Sequence, residues 1–534
     1  MKKKEIFGVV LIFVLLGLLA VHSLNSINQD IGRHLKSGQI IWETKNVYKT
    51  NLFSFTEPEH PFVNHHWLSE VIFYLLYGVV GLKGLIFFKA GVLLLAFGVV
   101  FLAIRRQISI WMWMSASLVF IPVFIYRSDV RPEIFSYLFF SFFLFAILRT
   151  KWQDKKWFFA LPLVQILWTN MHIYFAIGPG LLFLFSIDRL FNARREFKKI
   201  FILFLATSAA TLLNPNFLTG ALEPFNILRN YGYSIVENQS VFFLRDYGIQ
   251  LNDIKFFELS LAVLMLSFIL AFRFRQKNNL PNTLNFELMT AVIFTIIALK
   301  MIRNFGIYAL VALPITTLNL SHLRRSSAPL IRKLGLGTLW GFSVWFAFSV
   351  PNNDFYDWSG SAKRFGTDIP DGAATAVEFI KQNRIRGPVF NNFDVGSFLI
   401  WKLYPAPGEK CPDELKKPAL NLYDNSEKCG VFVDGRPEAY SAEFFEKIYK
   451  PMQENPELWK EYSEQYGINY VFFGHSDITP WARTFLSLIL QNQNWPLIYH
   501  DDSVVIFAKR TPLNEELIGK FRKQIKENLN EPKS

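Results

Sequence analysis

The sequence predicts a polytopic α-helical membrane protein of about eleven spans with a C-terminal soluble α/β domain. Three observations predict it. Apolar residues make up 51% of 534 positions, 17% are aromatic, and mean hydropathy is +0.22, rich for a chain that folds in water. Runs of about 20 apolar residues, the length that about 30 Å of hydrocarbon requires at 1.5 Å per helical residue, recur through the first two thirds. Beyond them, short β-branched and aromatic runs alternate with helical patterns.

The apolar runs fall at 6–24, 82–104, 110–126, 132–148, 157–170, 171–187, 200–213, 256–272, 286–301, 305–320 and 334–350. The fifth and sixth are short and read as a broken or re-entrant pair. The first has the basic start Met1-Lys2-Lys3-Lys4 but no small-x-small cleavage site near Ala20–His22, so it reads as an uncleaved anchor.

A formal charge of +13 invites a nucleic-acid reading, but the charge sits in one place. Every second connection is basic: Lys2–Lys4, then Arg105 and Arg106, Arg149 with Lys151, Lys155 and Lys156, Arg189 with Arg194, Arg195, Lys198 and Lys199, Arg273 with Arg275 and Lys277, and Arg324 with Arg325, Arg332 and Lys333. Only Glu5, Asp154, Asp188 and Glu196 oppose them. That is the positive-inside pattern of cytoplasmic loops, and it excludes a nucleic-acid partner. Eleven spans from a cytoplasmic N-terminus place everything after about residue 352 outside. The expectation is a multi-pass protein of a bacterial inner or plasma membrane, with residues 1–352 as the membrane domain, 25–81 as its first outer loop, and 353–534 periplasmic or extracellular.

This topology puts Asp30, His34, His65, His66, Glu70, Arg127, Asp129, Arg131, Asn170, His172, Asn214, Lys300, Arg303 and Asn304 at outer span ends or in outer loops. Polar residues at membrane depth are costly and mark function by default; the bland alternative is snorkelling or helix capping. His66 and Glu70, four apart, share a face if 66–80 is a helix.

In the tail, "GPVFN", "VFVDG", "INYVFF" and "SVVIFAK" read as strands, and Ala373–Gln382, Ala442–Lys450 and Trp481–Leu490 as helices. Cys411 and Cys429, the only cysteines, both fall here, where an oxidising compartment makes a disulfide the simplest outcome. A phosphate-cradling glycine loop, HExxH and CxxC are all missing from the sequence.

The membrane half resembles the GT-C superfamily of polytopic glycosyltransferases that use polyprenyl-phosphate-linked sugars. The residues that carry the resemblance are "QDIGRHLKSGQII" (29–41), "NLFSFT" (51–56), "NHHWLSEVIFYLLY" (64–77), "RPEIFSYLFF" (131–140), "WTNMHIYFAIG" (168–178) and "LLNPN" (212–216). The resemblance implies that Asp30, just after the first span, is the catalytic base. It also implies that about 35–80 forms helices lying along the membrane surface. In the tail, "NNFDVGSFLIWKLYP" followed by "VFVDGRPEAY" is similar in layout to the oligosaccharyltransferase block opened by WWDYG. The tryptophans and tyrosine of that block are replaced here, which argues against a peptide acceptor. The family's acidic pair in the second outer loop reads Asp129-Val130-Arg131, which favours a phosphate clamp over a metal: no cofactor is expected, with a divalent metal left as the alternative that this departure does not support.

The chemistry fits this placement. An acceptor hydroxyl attacking an anomeric carbon must lose its proton to a nearby carboxylate. A departing lipid phosphate needs cationic donors in a low-dielectric pocket. Asp30 is the expected base and Glu70 a second, orienting acid. Arg131, Lys300 and Arg303 are the expected phosphate clamp, guanidinium being suited to bidentate grip. His34, His66, His172 and Asn304 are expected to touch sugar or phosphate. A capping role is the plain alternative for Asp30. The predicted activity is hexosyl or pentosyl transfer, inverting if Asp30 is the only base, from a polyprenyl-phosphate sugar donor to a lipid, glycan or protein acceptor. Two readings of other classes stand beside it: a lipid or solute transporter with a polar outer rim, and an assembly protein acting through its exported domain, with the acid of "VFVDGR" and Arg436 binding a partner.

Overall fold

A computed structural model describes residues 3–24, 30–149, 157–226, 231–248, 252–277, 285–321, 329–369, 372–417 and 428–521. Lys2, Gln29, Lys151, Asp154, Lys155, Lys156, Arg324 and Arg325 of the readings above lie outside the described residues. By contacts the chain forms two compact units: 1–24 with 79–225 and 234–368, and 25–78 with 226–233 and 369–534.

The first unit is helical. Each predicted apolar run coincides with a helix: Lys3–Ala20, the part of Trp67–Ile104 beyond Gly81, Ile110–Ile125, Glu133–Arg149, Trp157–Thr169, Ile177–Asn192, Arg194–Ala210, Asn252–Lys277, Phe286–Lys300, Phe305–Ser321 and Pro329–Ser349. Among the described residues, Trp67–Ile104, Ile173–Asn192, Asn252–Gln276 and Ile302–Ser321 are long and apolar enough to cross a membrane. The short pair is a helix that stops at Thr169 and resumes through a 3-10 turn, Ile173–Ala176. Gly81, at φ 64°, divides Trp67–Ile104; only glycine takes that conformation without steric cost, so the predicted boundary between an outer helix and a span falls where the backbone requires it.

These helices are apolar on the side that packs and on the side that does not. Ile6, Val10 and Val14 are exposed, as are Phe159, Leu163 and Leu167, and Met265, Ile269 and Phe272, each set at helical spacing. Such stripes are liabilities in water and are at home against lipid tails. Inward, Trp113 is fully buried among Phe13, Phe97 and Phe101, and Phe257 stacks on Phe305 with centroids 4.4 Å apart. This is the fold of a polytopic α-helical membrane protein.

The second unit is α/β. Strands β1 (Val389–Asn391), β2 (Lys416–Lys417), β3 (Lys428–Cys429), β4 (Tyr470–Gly474), β5 (Leu497–His500) and β6 (Val504–Ala508) make a four-stranded sheet in the order β1-β4-β6-β5 and a two-stranded β2-β3 ribbon. β1 and β4 are parallel; β4–β6 and β5–β6 are antiparallel. Successive side chains point to opposite faces, and both faces are covered. Tyr470 and Phe472 join one core with the Gly372–Gln382 helix, while Val471 and Phe473 join the other with Trp459 and Phe485. The predicted helices appear as Gly372–Gln382, a π-helical turn Phe444–Tyr449, and Pro480–Ile489.

The predicted strand "VFVDG" is corrected. Residues 431–435 make a single bridge, Val431 with Ser54, and no ladder beyond it, because the Asn391 side chain takes up the next backbone groups: it accepts from the Phe432 N–H at 3.0 Å and donates to the Val433 carbonyl at 2.7 Å. The partner-binding reading of this string is corrected with it. Asp434 and Arg436 are 0% and 1% exposed, joined to each other at 2.7 Å, and Arg436 donates to Asn51 at 2.8 Å. Both side chains are buried inside the unit and turned to each other, out of reach of a partner.

Residues 25–78 are built into this unit. Val431 donates to the Phe53 carbonyl at 2.9 Å, Phe53 enters one core and Phe55 and Phe62 the other, and the Arg436 guanidinium lies over Phe62 at 4.7 Å. Cys411 and Cys429 form a disulfide beside the β2-β3 ribbon, 18 residues apart. A loop of that length contributes roughly 3 kcal/mol in the chain-entropy model. Replacing both cysteines with serine should lower unfolding stability by about that amount, and non-reducing peptide mapping of protein from its native membrane should recover the cross-linked peptides. Two free thiols there would contradict an exported tail.

Candidate functional site

Two clusters carry the polar residues that the sequence singles out, one in each unit. In the second unit, the Ile31–Thr44 helix buries its first two turns, including Arg33, His34 and Lys36. Gly38 lets it approach the helix that begins at Trp67: a Cβ there would stand 2.1 Å from the Glu70 carbonyl oxygen. That approach brings His34 onto Glu70. His34 Nδ1 lies 2.8 Å from Glu70 Oε1, and Asn64 donates to Glu70 Oε2 at 2.7 Å. The Arg33 guanidinium reaches Glu70 at 3.4 Å and Asp30 at 3.9 Å. Burial alone raises the Glu70 carboxyl, but the His34 hydrogen bond and charge, with Arg33 and Asn64, outweigh it and hold the group below the usual carboxylate range. His34 is pushed below its ordinary value by burial and by Arg33, against the pull of Glu70. His66 joins the group, its ring edge-on to His34 at 5.6 Å and its N–H donating to Asn64 Oδ1 at 3.0 Å.

Asp30 occupies the cap position of the Ile31–Thr44 helix, yet its side chain makes no capping hydrogen bond. Its carboxylate stands against the loop after Val433: a Cβ on Gly435 would lie 2.6 Å from Asp30 Oδ1. The side chain keeps 26% of its surface exposed, whereas Arg33 keeps 5%.

In the first unit, Arg127 is sandwiched between Glu133 and Glu237, and Arg131 pairs with Glu237 at 3.3 Å. Burial would raise Glu237, but Arg127, Arg131 and Arg303 keep it below the usual range. Arg303 donates to the Tyr174 hydroxyl at 3.1 Å and to Asn238 Oδ1 at 2.9 Å, both neutral groups. His172 Nδ1 meets Ser136 Oγ at 2.8 Å and accepts from the Tyr174 N–H. Asn304 is buried and donates weakly to the Ile297 carbonyl, while Lys300 is exposed at the end of its helix. Nearby in this unit, Asp129 meets Lys363 at 3.6 Å, and Lys89 donates to His22 Nε2 at 3.0 Å. Lys363, His22, Arg131 and Lys89 hold Asp129 well below its ordinary value despite burial.

No protein-family model matches the chain, and no curated protein matches it. Solved structures do. The archaeal oligosaccharyltransferase AglB from Archaeoglobus fulgidus, in complex with an inhibitory peptide and a dolichol-phosphate, matches with a TM-score of 0.57 at 13% identity, over 98% of this chain and 78% of that one. The apo form of the Archaeoglobus fulgidus oligosaccharyltransferase matches at 0.56 with 14% identity, over 96% and 75%. The chain shares the fold of these two structures. ArnT from Cupriavidus metallidurans bound to undecaprenyl phosphate is further away, at 0.47 and 12% identity, over 95% and 97%.

The structure brings Asp30, His34, His66 and Glu70 into one cluster, and Arg131 and Arg303 into the neighbourhood of Glu237 in the other. Sequence reasoning missed Asn64, Glu133 and Glu237. Glu237 sits in an aperiodic stretch where nothing distinguishes it from a solvated acid. Lys89 did carry a signal: a lysine inside a predicted span, 1% exposed.

Proposed function

We propose that the chain is a membrane glycosyltransferase that moves one sugar from a polyprenyl-phosphate donor to a lipid, glycan or protein acceptor on the extracytoplasmic face. One observation carries the reading: on a GT-C fold, the carboxylate of Asp30 stands at the start of the Ile31–Thr44 helix, partly exposed and 3.9 Å from the Arg33 guanidinium. A carboxylate in that state can take the proton of an attacking hydroxyl. With Asp30 as the only base, attack is a direct displacement and the anomeric centre inverts. Arg303, fixed by neutral groups, keeps its charge for a departing phosphate, and Arg131 stands beside Glu237 as the second cation. His34 and Glu70 orient Asp30 through Arg33, which touches both acids.

The basic loops support a cytoplasmic N-terminus and an exported second unit. Membrane lipids and a polyprenyl-phosphate sugar are the expected partners. Mass spectrometry of polyprenyl-phosphate sugars and surface glycans, with and without the gene, tests the proposal. Loss of one glycan with accumulation of its lipid-linked donor is the expected result. Unchanged glycans and donor pools would overturn it.

A further inference from the structure

We propose that His34, His66 and Glu70 form a binding site for a divalent transition-metal ion of the zinc class. Each offers one ligand atom, and the three lie within 4.8 Å of one another. Two imidazoles and a carboxylate are a donor set that zinc takes readily, three protein ligands leaving a fourth position for water. The inference does not rest on the glycosyltransferase reading.

The fold builds this site. Glu70 donates its backbone N–H to the His66 carbonyl, so the two residues stand one helical turn apart on one face. His34 is held against them because Gly38 permits the close helix approach described above. Glu70 and His34 are 0% and 2% exposed, and His66 is half-buried, which gives the ion a route in. Asn64 holds the carboxylate directly, donating to Glu70 Oε2, and is itself fixed by the His66 backbone N–H. Groups that orient ligands in this way commonly surround metal sites. His65 is not in the set, because the ligand atoms that lie within 4.8 Å of one another are those of His34, His66 and Glu70.

Metal–ligand bonds of about 2.0–2.2 Å at tetrahedral angles put ligand atoms about 3.3–3.6 Å apart, so a pair at the 4.8 Å limit must close by more than an ångström. Rotation of His66, the half-exposed member, supplies that movement. Binding through His34 Nδ1 moves the ring proton to Nε2, the neutral imidazole changing tautomer while Glu70 Oε1 turns from that proton to the ion. The Arg33 guanidinium, 3.4 Å from Glu70, opposes a cation, so the ion should exchange with a chelator and not stay locked in.

The test uses the full chain, purified in detergent, stripped with a chelator and titrated with Zn²⁺ or Co²⁺. Elemental analysis should give one ion per chain, and Co²⁺ should develop visible d–d absorption. Asn64→Ala should weaken Zn²⁺ binding by about 10–100-fold, as loss of a ligand-orienting group does. His66→Ala and Glu70→Gln should weaken it at least as much, and His65→Ala should leave it unchanged. Absence of stoichiometric binding, equal affinity in wild type and His66→Ala, or equal losses in His65→Ala and His66→Ala would each overturn the site. Should Glu70→Gln fail to fold, His66→Ala, on a half-exposed side chain, decides alone.

Discussion

Asp30→Asn should fold and insert normally, bind donor, and lose at least about a hundredfold in glycosyl transfer, because general-base catalysis is worth roughly 10²–10⁴-fold. Asparagine matches aspartate in size and is as good a helix cap. A capping role would therefore make the Asn variant nearly silent and Asp30→Glu the worse of the two. A base role reverses that order, since glutamate keeps a carboxylate displaced by one methylene. The structure sharpens the contrast, because the side chain makes no capping bond to lose. A transfer assay on both variants, with circular dichroism as the folding control, decides. An active Asn variant would remove Asp30 from the mechanism and leave Glu70 as the next acid. Glu70 is the weaker base on physical grounds: His34, Arg33 and Asn64 already stabilise its ionised form and occupy its oxygens.

The membrane half was legible because its signal is local. A helix that packs on one side and meets lipid on the other is apolar throughout, so eleven runs of hydropathy fell on eleven helices, and Gly81 marked where one of them breaks. Strands β1, β4 and β6 were legible for a similar reason: both their faces are buried, so they read as continuous apolar runs. "VFVDG" has the same composition and is not a strand, because a distant side chain, Asn391, satisfies its backbone. Nothing within those five residues reports that. β5 was missed because its pattern is half-exposed and broken by a bulge between Leu497 and Tyr499. In the site, His66 and Glu70 were legible as an i, i+4 pair. The contribution of His34 and the crossing of Arg33 between two acids depend on packing at Gly38, a tertiary event. Placing residues 25–78 in the same compact unit as 369–534 needs contacts across more than 300 positions, such as Phe53 with Val431, which periodicity does not encode.

The same distinction between local and tertiary information separates the two arginines proposed for donor phosphate. From sequence they are equivalent, and truncating either should weaken donor binding more than acceptor binding. In the structure their surroundings differ. Arg131 already faces the carboxylate of Glu237, so part of its charge is spent, whereas the hydrogen bonds of Arg303 go to Tyr174 and Asn238, which leave its charge intact. Loss of one partner of a desolvated charge pair costs about 2–5 kcal/mol. Arg303→Ala should fall in that range for a polyprenyl-phosphate ligand, and Arg131→Ala below it. Arg303→Lys should recover only part of the loss, because an ammonium cannot make the planar, two-pronged contact of a guanidinium. Glu237→Gln should move donor affinity the other way, since it removes a negative charge beside three arginines, Arg127, Arg131 and Arg303. Titration of each detergent-purified variant with a short-chain polyprenyl phosphate measures all four. Arg303→Ala with wild-type affinity would remove it from the phosphate clamp, and equal losses at the two arginines would show that Glu237 does not offset Arg131 when phosphate binds.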